Sequence, residues 1–195
     1  MQVYSKLVFI SVLIFIFSCT KNKYTREEYL EWFLDKDNGM LVEKKIGDYS
    51  FLLQYQSKDY QILKENPSIN KELFQQLKNE NSKILILTLE LENNKDSQSL
   101  NNLSTEMFNY LSYNASKDFN LIIENDTLPC VLYHFEKSFK LGNNHKFLLG
   151  FSPLNFKNDK TFTLNFNDKV GGFGNVNISI EKDNLQKIQN LNVEL

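Results

Sequence analysis

From Phe119 onward, hydrophobic and polar residues alternate. Phe119/Leu121/Ile123 is one triplet at period two, and Val131/Tyr133/Phe135, Phe147/Leu149/Phe151, Phe162/Leu164/Phe166 and Val176/Ile178/Ile180 are four more. Successive side chains of a strand point to opposite faces, so a half-buried strand writes this pattern. The residues between are mostly polar, among them Asn120, His134, Thr163, Asn165, Asn177 and Ser179. Turn-forming runs separate the triplets: Asn125-Asp126, Gly142-Asn143-Asn144, Asn158-Asp159 and Gly171-Gly172-Phe173-Gly174. The pattern predicts five short antiparallel strands with one wet face, in a sheet or sandwich. The tail Leu191–Leu195 offers a sixth.

Before residue 115 the periods are mixed. Thr25-Arg26-Glu27-Glu28 has the spacing of a capping box and opens a helix to about Asp37, stopped by Asn38-Gly39. Tyr29, Leu30, Trp32, Phe33 and Leu34 give that helix a broad apolar stripe. Residues 41–56 read as a hairpin around Gly47-Asp48. Two helices follow, Lys58–Lys64 and Asn70–Glu80, parted by Pro67. Lys83–Glu92 is a strand with leucines on one face; its other face runs from Ile84 and Ile86 to Glu90 and Glu92. That gradient predicts a central strand with helices over one part. Leu100–Ser112 is a further helix by the spacing of Leu103, Met107, Tyr110 and Leu111. The fold class is therefore α+β: N-terminal helices and a hairpin, then a C-terminal antiparallel sheet or sandwich. Residues 25–195 form one domain, or two packed lobes over 25–115 and 116–195.

The first 19 residues are of another kind. Lys6 precedes an apolar run from Leu7 to Phe17, broken only by Ser11. As a helix the run is about 16 Å long at 1.5 Å per residue, against roughly 30 Å of hydrocarbon. It has the charge, apolar run and small-residue end of a secretory signal. Ile16-Phe17-Ser18-Cys19 resembles the lipobox of bacterial lipoproteins, with a branched aliphatic at −3, a small residue at −1 and Cys. The resemblance implies cleavage after residue 18 and a diacylglycerol on the sulfur of Cys19. Residues 19–24 are then a lipid anchor and tether, and the partner is a membrane. It also implies that Thr20, where an Asp would hold the protein in the inner membrane, directs it to the outer membrane, periplasmic or surface-facing.

Composition narrows the function classes. The formal charge is −2, and loss of Lys6 with the signal makes it −3. This near-neutral, slightly acidic balance argues against a nucleic-acid binder, which would show a basic face. Asn occurs 25 times, while Arg26 and Ala115 are the sole Arg and Ala. Asn, Lys, Ile, Phe and Tyr have AT-rich codons, so the skew reflects a genome more than a task. After lipidation Cys130 is the one free thiol; its apolar strand-like surroundings make it structural, and stability must come from the core.

Candidate chemistry is sparse, and no catalytic residue or cofactor is assigned. His134 and Glu136, two apart on one strand, are the best metal-ligand pair, with His145 from a neighbouring strand as a third. Gly171-Gly172-Phe173-Gly174 lies between strands and reads as a flexible hairpin turn with an exposed aromatic; a phosphate loop would lead into a helix. Tyr49, Tyr55, Tyr110, Tyr113 and Tyr133 are amphipathic and could line a surface. Asp126-Thr127-Leu128 resembles an O-glycosylation motif of Gram-negative envelope proteins, which implies a glycan on Thr127. The expected function is a non-catalytic, protein-binding or envelope-assembly lipoprotein. Glycan or small-ligand capture is the alternative, and a hydrolase using Glu90/Glu92 or Glu124/Asp126 comes last.

Overall fold

The computed structural model describes residues 23–80, 84–94, 104–136, 144–154 and 156–195. The signal segment and Cys19 lie outside these residues. The described helices are α1 (Arg26–Leu34), α2 (Lys58–Glu65), α3 (Lys71–Asn79), α4 (Thr105–Asn109) and α5 (Lys182–Lys187). The strands are β1 (Leu41–Ile46), β2 (Tyr49–Gln56), β3 (Leu85–Asn93), β4 (Phe119–Ile123), β5 (Asp126–Pro129), β6 (Leu132–Glu136), β7 (Asn144–Phe151), β8 (Phe162–Asn167) and β9 (Asn175–Ile180). Among the described residues, no helix is long and apolar enough to cross a membrane.

Local signals set most boundaries. Thr25 caps α1 with the reciprocal Glu28 contact of a capping box. Ser57 and Asn70 cap α2 and α3 through their side-chain oxygens. A two-residue turn, Gly47-Asp48, joins β1 to β2, with Ile46 opposite Tyr49. All five predicted period-two triplets lie in or at the edge of strands β4, β6, β7, β8 and β9.

The strands form two antiparallel sheets, ordered β1-β2-β3-β7-β6 and β5-β4-β8-β9. β3 is central in the first, as its two-faced pattern predicts. Phe51, Leu53, Leu87, Leu89, Phe147 and Leu149 of that sheet are at most 1% exposed. Phe119, Leu121, Phe162 and Leu164 of the other are equally buried. Rings of the two sheets meet: Phe119 lies 5.9 Å from Phe147, and Tyr55 lies 5.6 Å from Phe162. The expected α+β class holds, but the division near residue 115 does not. β6 and β7, from the second half, complete the sheet begun by β1–β3. The halves thus share one core, because each offers an apolar face that only the other can cover.

The outer faces differ. That of the four-stranded sheet is a polar ladder, in which Asn165 Nδ2 donates to Asn177 Oδ1 at 2.6 Å and the Thr163 and Ser179 hydroxyls meet at 2.8 Å. That of the five-stranded sheet is partly covered by helices. Gln54 Nε2 donates to Tyr60 Oη of α2, and Thr88 Oγ1 donates to Gln54 Oε1, so these buried polar groups satisfy one another.

Three further expectations are corrected. The tail adds no strand; it makes a single parallel bridge, Val193 to Tyr24. β5 arises where the sequence pattern predicted a turn, and α5 lies in a stretch for which no element was predicted. β5 is four residues long, too short for a periodic signal, and exists because it pairs with β4 from Ile123↔Asp126 to Asn120↔Pro129. The helix predicted over Leu100–Ser112 has its first residues outside those described; α4 starts after Ser104 and passes into a π turn over Tyr110–Asn114.

Candidate functional site

The glycine-rich turn is organised by a residue that motif reading passed over. Asp168 follows β8 and is 8% exposed. Its Oδ1 accepts from the backbone N–H of Val170 (3.2 Å) and of Gly171 (3.0 Å), and its Oδ2 accepts from Phe173 N–H (2.9 Å). Asp168 N–H donates to Gly174 O and closes the loop. The amides that would cradle a foreign anion therefore hold the protein's own carboxylate. A Cβ at Gly171 would stand 2.6 Å from Phe173 Cε2, 2.8 Å from Met107 Cε and 2.9 Å from Asp168 Oδ2, so a larger residue there requires these side chains to shift. Phe173 is half-buried, not the exposed aromatic expected. Its ring packs edge-on against Tyr49 (4.9 Å) and Phe51 (5.1 Å). Lys169 N–H donates to Tyr110 Oη, which in turn donates to Asp118 Oδ2 at 3.0 Å. Burial, and then the Asp118 carboxylate, push the Tyr110 hydroxyl up from its usual range, so it stays a neutral donor.

The larger concavity is a half-open cleft of about 1060 Å³ between α2, α3, the segment after β7 and the C-terminal turn. Ile62, Leu85 and Ile188 make its floor, with Leu77, Phe156 and Leu191 on the walls. The two lining lysines are engaged: Lys78 Nζ pairs with Asp59 at 2.7 Å, and Lys58 Nζ donates to the Glu80 carbonyl. Tyr55, also on the wall, donates its hydroxyl to Asn158 Oδ1. Burial pushes that hydroxyl up, so it is no acid at ordinary pH.

The residues singled out in the sequence do not converge. His134 and Glu136 are exposed on the outer face of β6. His145 is 7% exposed on the inner face of β7, 5.5 Å from the Phe135 ring. Two-residue alternation puts the third ligand on the opposite side of the sheet from the first two. Among the described residues, no three His, Cys, Asp or Glu groups are placed to share an ion. Glu90 pairs with Lys146 at 2.7 Å and accepts from Asn144; this contact pushes Lys146 up. Glu124 sits in the β4–β5 turn with φ 55° and pairs with Lys160 at 2.8 Å. Asp126 opens β5 next to it, and both are exposed. Thr127 is exposed on β5, at the edge of its sheet, opposite Ile122.

The tyrosines are mostly structural. Tyr133 donates to the Leu111 carbonyl, Tyr49 holds Phe173, and Tyr110 and Tyr55 are bonded as described. Tyr113 is the exception, 73% exposed. The Cys130 thiol donates to Leu132 O at 3.0 Å. Burial pushes this thiol up, which lowers the thiolate fraction and makes it a poor nucleophile.

Asp168 was beyond motif reading because an Asp before a Gly-rich turn is ordinary turn composition. Its role depends on a loop closing back over it. No family model, curated protein or solved structure matches the chain.

Proposed function

We propose that this chain is a lipoprotein anchored through Cys19 to the outer membrane. It is a non-catalytic envelope component that presents a sandwich-like domain to another protein. The anchor is supported by Ile16-Phe17-Ser18-Cys19 behind its short apolar run. The protein-binding role is supported by one observation, the state of the sheet edges. Native edge strands are blunted by Lys, Pro or covering elements, because an open edge templates further pairing. β1 carries Lys44 and Lys45, and Lys44 Nζ reaches over to Asn177 O on β9. β5 ends in Pro129. β6 has neither Lys nor Pro, and no described strand pairs along its outer side. Val131 is 57% and Leu132 36% exposed at its start. A partner that adds a strand along β6 would satisfy the backbone and cover these side chains.

The test is made on the lipidated protein in its own envelope, with a photocrosslinking residue in place of His134. One reproducible protein adduct is expected, and it should be lost on Leu132→Asp. Adducts that are absent, or unchanged by Leu132→Asp, overturn the β6 reading. The anchor is tested separately. Cys19→Ala should accumulate as an unprocessed precursor without labelled acyl chains, and normal acyl labelling of that variant would refute the anchor.

The 1060 Å³ cleft favours a second reading, capture of a small ligand. Thr127, at an exposed edge, is accessible for the glycan that its flanking residues suggest.

A further inference from the structure

The point where the chain enters the domain is fixed. Tyr24 N–H donates to Asn192 O, and Glu194 N–H donates to Tyr24 O, both at 2.8 Å. Two residues on, Arg26 Nε donates to Leu63 O at 2.7 Å. Asn192 lines the cleft, as does Ile62, the neighbour of Leu63. The chain therefore enters at the border of the cleft. Cys19 precedes Tyr24 by five residues, and extended chain covers at most about 3.5 Å per residue, so Cys19 lies within roughly 18 Å of this entry. A tether that short cannot let the domain turn its opposite end to the membrane.

The same border carries the most exposed apolar side chain of the described residues. Leu154, after β7, is 91% exposed, and Ile84, before β3, is 40% exposed. Both line the cleft. Leu195, two residues beyond the bridge to Tyr24, is also 40% exposed. Three nearby cations are engaged, Lys78 with Asp59, Lys58 with the Glu80 carbonyl and Lys23 with Glu194, while Lys157, between the lining residues Phe156 and Asn158, is exposed. With Asp59, Glu65 and Glu80 beside Lys58, Lys78 and Lys157, the border has no cationic excess to attract anionic lipid, and it suits an apolar interface better.

We propose that the cleft border is the membrane-docking surface of this protein. The occupant is the phospholipid bilayer that holds the Cys19 acyl chains, with Leu154 lodged in its interfacial layer and the cleft opening onto it. The proposal rests on the anchor reading and adds an orientation to it.

The test uses the full lipidated protein in phosphatidylethanolamine/phosphatidylglycerol vesicles. A spin label is placed at Leu154→Cys in a Cys130→Ser background, with Tyr113→Cys as the reference position. The mass of the N-terminal peptide reports acylation in the same sample. With acylation present, a water-soluble relaxation agent should reach residue 154 severalfold less than residue 113, while dissolved oxygen reaches residue 154 more. Varying the phosphatidylglycerol fraction should leave this contrast unchanged. An acylated protein whose residue 154 is as water-accessible as residue 113 overturns the docking proposal and leaves the anchor standing. A Cys19 without acyl chains overturns both. Matching far-ultraviolet spectra confirm that each labelled variant is folded.

Discussion

Phe119→Ala should lower the unfolding free energy by about 3–5 kcal/mol, the cost of removing a fully buried phenyl ring from a core that relaxes only in part. Phe119 is 0% exposed. Its ring stacks on Phe166 at 4.3 Å with 8° between planes, and it lies 5.9 Å from both Tyr133 and Phe147. Three strands of both sheets, β6, β7 and β8, thus meet on one side chain of a fourth. Its loss opens a cavity where the sheets join, and aromatic contacts go with the buried area. A domain of this size has about 5–15 kcal/mol to lose, so the variant should be folded but fragile. Equilibrium urea denaturation measures the change as a fall in midpoint. Phe119→Leu keeps most of the volume and should cost about half as much or less. An alanine variant within about 1 kcal/mol of the parent would mean that the inner faces do not meet at this ring, since such a cost belongs to surface positions.

The second large effect is expected at Asp168. Asp168→Ala removes the acceptor of three backbone N–H groups at once. Hydrogen bonds to a charged group contribute about 1.5–3 kcal/mol each, but here they are not additive because water can reach part of the opened loop; a total near 3 kcal/mol follows. Asp168→Asn can keep the Oδ1 bonds to Val170 and Gly171. It turns an amide NH2 toward Phe173 N–H, where two donors repel, so about half the loss is expected. The loop also carries Phe173 onto Tyr49 and Phe51. Both variants should therefore weaken the near-ultraviolet circular dichroism of the aromatic residues in proportion to their loss of stability. Equal stability of the Asn and Ala variants would show that Oδ1 holds nothing. An unchanged near-ultraviolet spectrum would show that the carboxylate does not place the ring.

The candidate surfaces were much less legible in the sequence than the strands. The metal-ligand idea failed because His145 and His134 lie on different strands whose alignment no local pattern states; Glu136↔Lys146 and His134↔Leu148 are the pairs, and His145 faces the other side. The cleft is walled by residues from α2, α3, β3, the segment after β7 and the C-terminal turn, which are distant along the chain. That no described strand pairs along the outer side of β6 could not be read from LYHFE alone, because being an edge is a property of the sheet.

By itself the sequence determined the elements whose cause is local. Thr25, Ser57 and Asn70 cap helices through side chains within reach of the next turn, and period-two runs such as Phe162/Leu164/Phe166 assign inner and outer faces, because alternation is built into the extended backbone. It also carries the lipobox-like run that ends at Cys19, a pattern that needs no fold and on which the proposed anchor rests. The tertiary structure alone decided which strands are neighbours, joining β3 to β7 across more than fifty residues, and so turned two halves into one core. It likewise decided that Asp168, rather than an outside anion, fills the glycine-rich loop, and that the chain enters beside the cleft. Those outcomes depend on which apolar faces cover one another, and that competition is settled only when the whole chain has collapsed around them.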